Sequence, residues 1–432
     1  MTMSAIRSRL GTVALAAVAV AAGATFSPLG GATAAPAAAT ATGHAKNVIF
    51  INGDGMAAAQ REAARLSQVG LDGRLAMDRL PVSGQLTTDS RDPKTVVTDS
   101  AAAATAWATG QKTYNGAISV DLQGNPLPTL GQQAKAAGKA TGLVTTAQVT
   151  DASPAAFFAQ VPDRGAQDEI ARQYLEVSKP DVILGGGEDW WYPAGTAGAY
   201  KDAPPKDPTE ASKGTKGNLV AEAKRRGYSY VTDEAALDKA QDGKLLGLFA
   251  NEELFEQRPE GQGDIYNPPV SLATMTKKAL STLQKNPKGF FLFVEEEGVD
   301  EFAHNNNGTK MLKSMVELEK AVAVARQYVA QHPDTLLVVT GDHECGGLTV
   351  EDPAAGDESG DGTTISSEDG PFAIAGSNLT FAMDWTTTGH TGGNVPVTAA
   401  GPGSQMFSGQ HPNTQVYDVL HETLRLQPLR TN

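Results

Sequence analysis

Three short apolar runs frame this chain: residues 46–52, built on Val48, Ile49, Phe50 and Ile51; residues 289–294; and residues 335–340. Each is short and rich in β-branched or aromatic side chains, so each predicts a buried strand. Further strands are predicted near 140–146, 182–184 and 395–399. Helical spacing separates them: an Ala- and Arg-rich stretch after Met56, residues 129–137, residues 165–179 with Ile170, Tyr174 and Leu175 in phase, residues 311–329, and residues 414–426. One more helix begins at Ser100, runs through an alanine-rich segment and stops at Gly110. Ser100 is expected as its N-cap, which would turn the free N–H groups of the first turn toward an anion beside the serine hydroxyl.

The ends of the apolar strands carry the chemistry. Asp54 follows the first strand between Gly53 and Gly55, where it suits either an ion or the cap of the next helix. The strand at 289–294 runs into Glu295, and Asp300 and His304 follow four residues apart, which puts both on one helical face. The strand at 335–340 ends in Gly341, Asp342 and His343, and His390 stands among glycines in residues 389–393. Two apolar strands that each finish in Asp and His are the strongest metal signal in the chain. Asp151 and Ser153 alternate before Pro154, and ten residues past it comes Arg164, whose guanidinium can hold two phosphate oxygens at once. His44, His332, His411 and His421 lack such settings and are read as structural or surface residues.

Composition narrows the partners. A net charge of −14 without a Lys/Arg cluster argues against nucleic acid, but not against a small phosphate ester held by metal ions and one arginine. Arg7 and Arg9, an apolar run at 13–22 and small residues through Ala34 read as an export signal over residues 1–34, which makes the protein secreted or periplasmic and leaves no membrane segment after its removal. Cys345 is the sole cysteine, so no intramolecular disulfide forms. It is read as a small buried residue beside His343, with carboxylates and imidazoles left to bind metal. Residues 189–269 change texture, with Trp190, Trp191 and many Pro, Gly and Lys. They are read as an insertion, part helical and part loop, either roofing the site or lying on the surface. Residues 351–371 read as an acidic exposed loop whose spacing fits no firm calcium pattern.

The wording V-x-D-S-A-x-A-x-T-A at 97–106 resembles the nucleophile segment of alkaline phosphatases, and Asp54, Asp151, Ser153, Arg164, Glu295, Asp300, His304, Asp342, His343 and His390 follow in that family's order. The resemblance spans nearly the whole of residues 35–432. It implies a single α/β domain, a mixed and mostly parallel central sheet flanked by helices, with an inserted crown at about 188–270. It also implies that Ser100 becomes phosphorylated and Arg164 clamps the phosphoryl oxygens. One Zn2+ would take Asp300, His304 and His390, and a second would take Asp342 and His343. Asp54 would be shared with one Mg2+, whose other partners are Ser153, Glu295 and, through water, Asp151. A homodimer is compatible with it. One position departs from the pattern: Glu301 stands where family members carry Lys, His or Trp.

The reading that follows is hydrolysis of phosphate monoesters through a phosphoserine. One alternative is a narrow relative acting on a secondary-metabolite phosphate, such as an aminoglycoside phosphate, or on diesters or sulfates. The other is a non-enzymatic metal or phosphate scavenger, which the presence of both Ser100 and Arg164 disfavours.

Overall fold

The computed structural model describes residues 43–201, 211–241, 243–258, 261–353 and 368–429. The export signal expected at 1–34 and most of the acidic loop expected at 351–371 lie outside them. Fifteen strands are described: β1 (Asn47–Gly53), β2 (Val82–Thr87), β3 (Ala140–Gln148), β4 (Val182–Gly186), β5 (Tyr228–Val231), β6 (Lys244–Leu248), β7 (Phe290–Glu296), β8 (Thr335–Thr340), β9 (Glu344–Cys345), β10 (Leu348–Glu351), β11 (Asp369–Ala373), β12 (Thr380–Trp385), β13 (His390–Thr391), β14 (Val395–Ala400) and β15 (Gly409–Pro412). Ten of them form the central sheet in the order β15-β2-β14-β8-β1-β7-β3-β4-β6-β5. Only β14 is reversed, pairing antiparallel with β2 and β8, and every other neighbour pair is parallel. The expected mixed, mostly parallel α/β architecture is therefore observed.

The apolar runs are unbroken because helices cover both faces of the sheet. Alternate residues of a strand point to opposite faces, and the core divides accordingly. Val48, Phe50, Phe291, Phe293, Leu336 and Val338 enter one core, whereas Ile49, Ile51, Leu292, Val294, Leu337 and Val339 enter the other. Phe50 meets Trp107 edge-on at 5.1 Å, which anchors the helix Ser100–Thr109 under the sheet. Each such side chain contributes about 1.5–3 kcal/mol by leaving water.

Three details differ from expectation. The N-cap of the Ser100–Thr109 helix is Asp99, whose side chain accepts from the Ala102 N–H at 2.9 Å, and Ser100 is the first helical residue. The segment expected as helix and loop supplies two strands, β5 and β6, which extend the central sheet at one edge. The helix expected at 165–179 is Gln167–Gln173 followed by a wider π-turn, Tyr174–Ser178.

Parallel strands deliver their loops to one edge, and in open α/β sheets ligands gather outside those carboxyl ends. Adjacent strands β8, β1, β7 and β3 lead there into Asp342 and His343, Asp54, Glu295 to His304, and Asp151 with Ser153, respectively.

Candidate active site and metal centre

The first component is the buried helix that carries Ser100. Its alanines occupy so little space that the helix start is set deep against the strand ends. Asp99 caps it through Oδ1, and Oδ2 accepts from the Gly116 N–H at 2.8 Å. With capping done by Asp99, the Ser100 hydroxyl is left free of the cap, 3.2 Å from His343 Nε2.

Around that nitrogen the strand ends converge. Asp54, Asp342 and His343 form one group in which a donor atom of each lies within 4.8 Å of the others, and all three are buried. His343 Nε2 is 3.2 Å from Asp342 Oδ2 and 3.6 Å from Asp54 Oδ1. Gly55 has φ +68°, and a Cβ there would come within 2.6 Å of Asp300 Oδ1, so glycine lets the backbone pass between the two aspartates. A second group adjoins the first: Asp300, His304, His390 and Cys345. His304 Nε2 is 3.1 Å from Asp300 Oδ2 and 3.1 Å from His390 Nε2. The His343 and His390 rings stack at 3.6 Å.

Outer hydrogen bonds fix how these imidazoles present themselves. His304 Nδ1–H donates to the Thr388 carbonyl at 2.6 Å and His390 Nδ1–H to the Thr98 carbonyl at 3.0 Å. Each ring therefore turns its Nε2 inward, the nitrogen that a metal ion would take. Glu344 ties the frame together, accepting from Gln60, from the backbone N–H groups of Gly347 and Leu348, and from the Thr391 hydroxyl beside His390.

The third component lies on the β3 side. Glu295 accepts from Asn52 Nδ2 at 3.1 Å and from the Thr145 hydroxyl at 2.7 Å, partners that the strand register places level with it. Ser153 Oγ is buried without a hydrogen-bond partner. Arg164 Nη2 lies 3.0 and 3.1 Å from the two Asp151 oxygens, and its Nη1 is 3.5 Å from Asp99 Oδ2. Burial disfavours the arginine charge, but Asp151 and Asp99 outweigh it and keep the guanidinium protonated.

The electrostatics are those of a cation site. Burial first, then repulsion from Asp342, Asp300 and Glu295, raises the Asp54 carboxyl well above its usual range. Burial pushes Glu295 up to about 8, with Asp151 and Asp342 adding to it against the Thr145 and Asn52 hydrogen bonds. Burial and Asp300 move Asp342 up to about 6. Asp300 goes the other way: burial opposes its charge, yet His304 at 3.1 Å and the nearby His390 and His343 imidazoles hold it well below the usual carboxylate range. Asp54 Oδ1, Asp342 Oδ2, Asp300 Oδ1 and His343 Nδ1 are all buried without hydrogen-bond partners. Buried acceptors and mutually repelling carboxylates are costly unless a positive ion is shared among them, so the donor set fits divalent cations.

All eleven residues expected from the sequence are thus gathered along the carboxyl edge of one sheet. Cys345 joins the second group of donors unexpectedly, because β9 and β13 pair it directly with His390. Its position two residues past His343, before the paired glycines 346 and 347, was the available signal. Glu253 was also missed. It bonds Gln148 at 2.7 Å and faces Glu297 and Glu301, which brings the segment after β6 toward the site. His332 stacks on Tyr328 and His421 on Tyr417, both away from it.

Comparison with known proteins agrees with this architecture. The alkaline phosphatase family model matches residues 45–374. The chain is 35% identical to the streptomycin-6-phosphate phosphatase of Streptomyces griseus, covering 91% of this chain and 94% of that protein. The cold-active alkaline phosphatase of the psychrophile Shewanella sp. superposes with a TM-score of 0.71 at 32% identity, covering 88% of this chain and 99% of that one. A mutant TAB5 alkaline phosphatase with Mg bound in its M3 site superposes with a TM-score of 0.69 at 25% identity, covering 89% and 99%. With a family match over most of its length and donor groups suited to divalent ions at the sheet's carboxyl edge, the chain belongs to the alkaline phosphatases, metal-dependent enzymes that hydrolyse phosphate monoesters.

Proposed function

We propose that residues 35–432 act outside the cytoplasm, after loss of a signal peptide at 1–34, as a phosphomonoesterase with Ser100 as nucleophile. Among the described residues no helix is long and apolar enough to cross a membrane. The single observation that carries the reading is the Ser100 hydroxyl, 3.2 Å from His343 Nε2 at the start of a buried helix, beside two groups of carboxylates and imidazoles. Asp300, His304 and His390 would hold one Zn2+, and Asp342 and His343 a second. Asp54 would serve both the second zinc and one Mg2+, with Ser153 and Glu295 as the magnesium's other ligands and Asp151 acting through water. When bound, such ions lower the pKa of a ligated hydroxyl and stabilise charge on the entering and departing oxygens of the phosphoryl group.

The chain's own residues do the rest. Arg164, held from behind by Asp151 and Asp99, presents a planar pair of N–H donors to two phosphoryl oxygens. Ser100 Oγ forms a bond to phosphorus as the ester P–O bond breaks, and the alcohol leaves with a proton. Water then cleaves the Ser100–phosphate bond, releasing inorganic phosphate and restoring the hydroxyl. The segment after β6 reaches Gln148 through Glu253 and Asn305 through Gln257, which supports a crown (188–270) whose last part borders the substrate.

The test is turnover of a panel of aryl, sugar and aminoglycoside phosphates, phosphodiesters and sulfates. We expect a broad preference for monoesters that a chelator removes. The aminoglycoside phosphate belongs in the panel because of the relative named for streptomycin 6-phosphate. Faster turnover of sulfates or diesters would overturn the reading.

Glu301 gives a second, smaller prediction. It is half-buried, and burial together with Asp300, Glu253 and Asp151 pushes its carboxyl up to about 7. A carboxylate among these acids repels a dianionic product, so inorganic phosphate should inhibit weakly. Glu301→Lys is expected to tighten phosphate inhibition by about tenfold, a change that a charge reversal at several ångströms supplies. It should also lower kcat where product release limits turnover. The inhibition constants of the two proteins at matched metal loading decide it, and equal constants would mean that Glu301 takes no part.

A further inference from the structure

The proposed reaction uses every member of the second metal-ligating group except Cys345. This residue is fully buried, so it offers nothing to solvent. One side of it packs into the core that contains Val339 and Trp385. β9 and β13 pair antiparallel with Cys345 directly opposite His390, which puts the two side chains on the same face of the pair. The Gly346 N–H donates to the Gly389 carbonyl at 3.0 Å and holds that pairing next to the ligand. One donor atom each from Asp300, His304, Cys345 and His390 lies within 4.8 Å of the others.

An independent observation points into the same space. Asp300 is 4% exposed, and its Oδ1 has no hydrogen-bond partner although it lies 3.6 Å from His390 Nε2 and 3.8 Å from His343 Nδ1. A thiol used only for packing needs no such company; alanine or valine would fill the same wall. Sulfur also changes what the position selects, because thiolate favours Zn2+ and Co2+ and has little affinity for Mg2+, whereas the Asp54, Ser153 and Glu295 side offers oxygen alone.

We propose that Cys345 is a fourth donor to the cation held by Asp300, His304 and His390, and that it biases this position toward thiophilic ions. The inference rests on the reading of those three residues as cation ligands. On binding, the thiol releases its proton to solvent and the sulfur ligates as thiolate. Zinc can expand to five ligands, so a fourth protein donor does not close the position to an oxygen.

Cobalt tests this in the full-length enzyme. The chelated protein reloaded with Co2+ is expected to show d–d absorption together with a thiolate-to-cobalt charge-transfer band in the near ultraviolet. Because Cys345 is the chain's sole thiol, the band in the wild-type protein already identifies its source. Cys345→Ser should lose the band, keep the d–d absorption and bind Co2+ at this position about tenfold more weakly. Full cobalt loading with d–d absorption and no charge-transfer band would overturn the role of Cys345 while leaving the three-ligand reading intact. If His304→Ala leaves the cobalt stoichiometry unchanged, the ligand reading fails and this inference falls with it.

Discussion

Ser100→Ala is expected to lower kcat/KM for a chromogenic phosphate monoester by about 10⁴-fold or more, a loss of about 5 kcal/mol of transition-state stabilisation. Ser100 supplies the hydroxyl placed 3.2 Å from His343 Nε2, so without it the proposed phosphoserine cannot form. Some hydrolysis should persist, because Arg164 and the ligand groups still orient phosphate toward water. Acid quench during turnover of a phosphate-labelled substrate should trap label on Ser100 in the wild-type protein and none in the variant. Label found on a histidine, or on no residue, would end the covalent mechanism. Folding separates this effect from a trivial one. Since Asp99 makes the cap, Ser100→Ala should shift stability by no more than about 0.5 kcal/mol, while Asp99→Ala should cost about 1 kcal/mol.

That distinction could not be drawn from the sequence, where Asp99 and Ser100 are adjacent and both residue types cap helices well. Only the backbone decides which of them sits half a turn outside the helix. The gathering of acids and histidines at the sheet's carboxyl edge, by contrast, was legible because its information is local. β1, β7 and β8 are unbroken apolar runs fully covered on both faces, and the polar residues that interrupt them at their carboxyl ends stand out by contrast.

What escaped the sequence is what depends on pairing across the chain. In β2 the fully buried residues Val82 and Leu86 are four apart, a spacing that reads as helix, and Gly84 between them lies against the Phe407 carbonyl. β15, Gly409–Pro412, contains no Val, Ile or Leu and is a strand because its backbone pairs with β2. β5 and β6 sit at the edge of the sheet inside a segment dominated by Pro, Gly and Lys, so composition masked their short alternation. Cys345 escaped for the same reason: its neighbour His390 is 45 residues away and meets it only through the two-residue pair β9 and β13.

Removing the divalent ions is expected to abolish activity and to lower Tm by about 10 °C at neutral pH, because ligands that bind only the folded state each add several kcal/mol when well above their Kd. The pH dependence of that loss identifies its origin. In the metal-free protein Asp54 and Glu297 titrate well above their unfolded values, Glu295 at about 8 and His304 at about 9. Groups raised in this way stabilise the fold below their unfolded pKa and lose that contribution as pH rises through the folded one. His343, held neutral by burial, acts oppositely, but its contribution is complete above its unfolded value of 6.5. Asp300, depressed by its histidines, is likewise fully ionised in both states over this range. Between about pH 6.5 and 9 the metal-free protein should therefore lose stability steadily, by about 5 °C in Tm. With divalent cations restored, Asp54 and Glu295 are expected to be held ionised and His304 neutral, so their folded pKa values drop and the loss moves to acid pH. Scanning calorimetry at pH 6.5 and 9, with and without the metals, measures both slopes. Parallel slopes, or a chelated protein with unchanged activity and Tm, would show that these strand ends hold no cation.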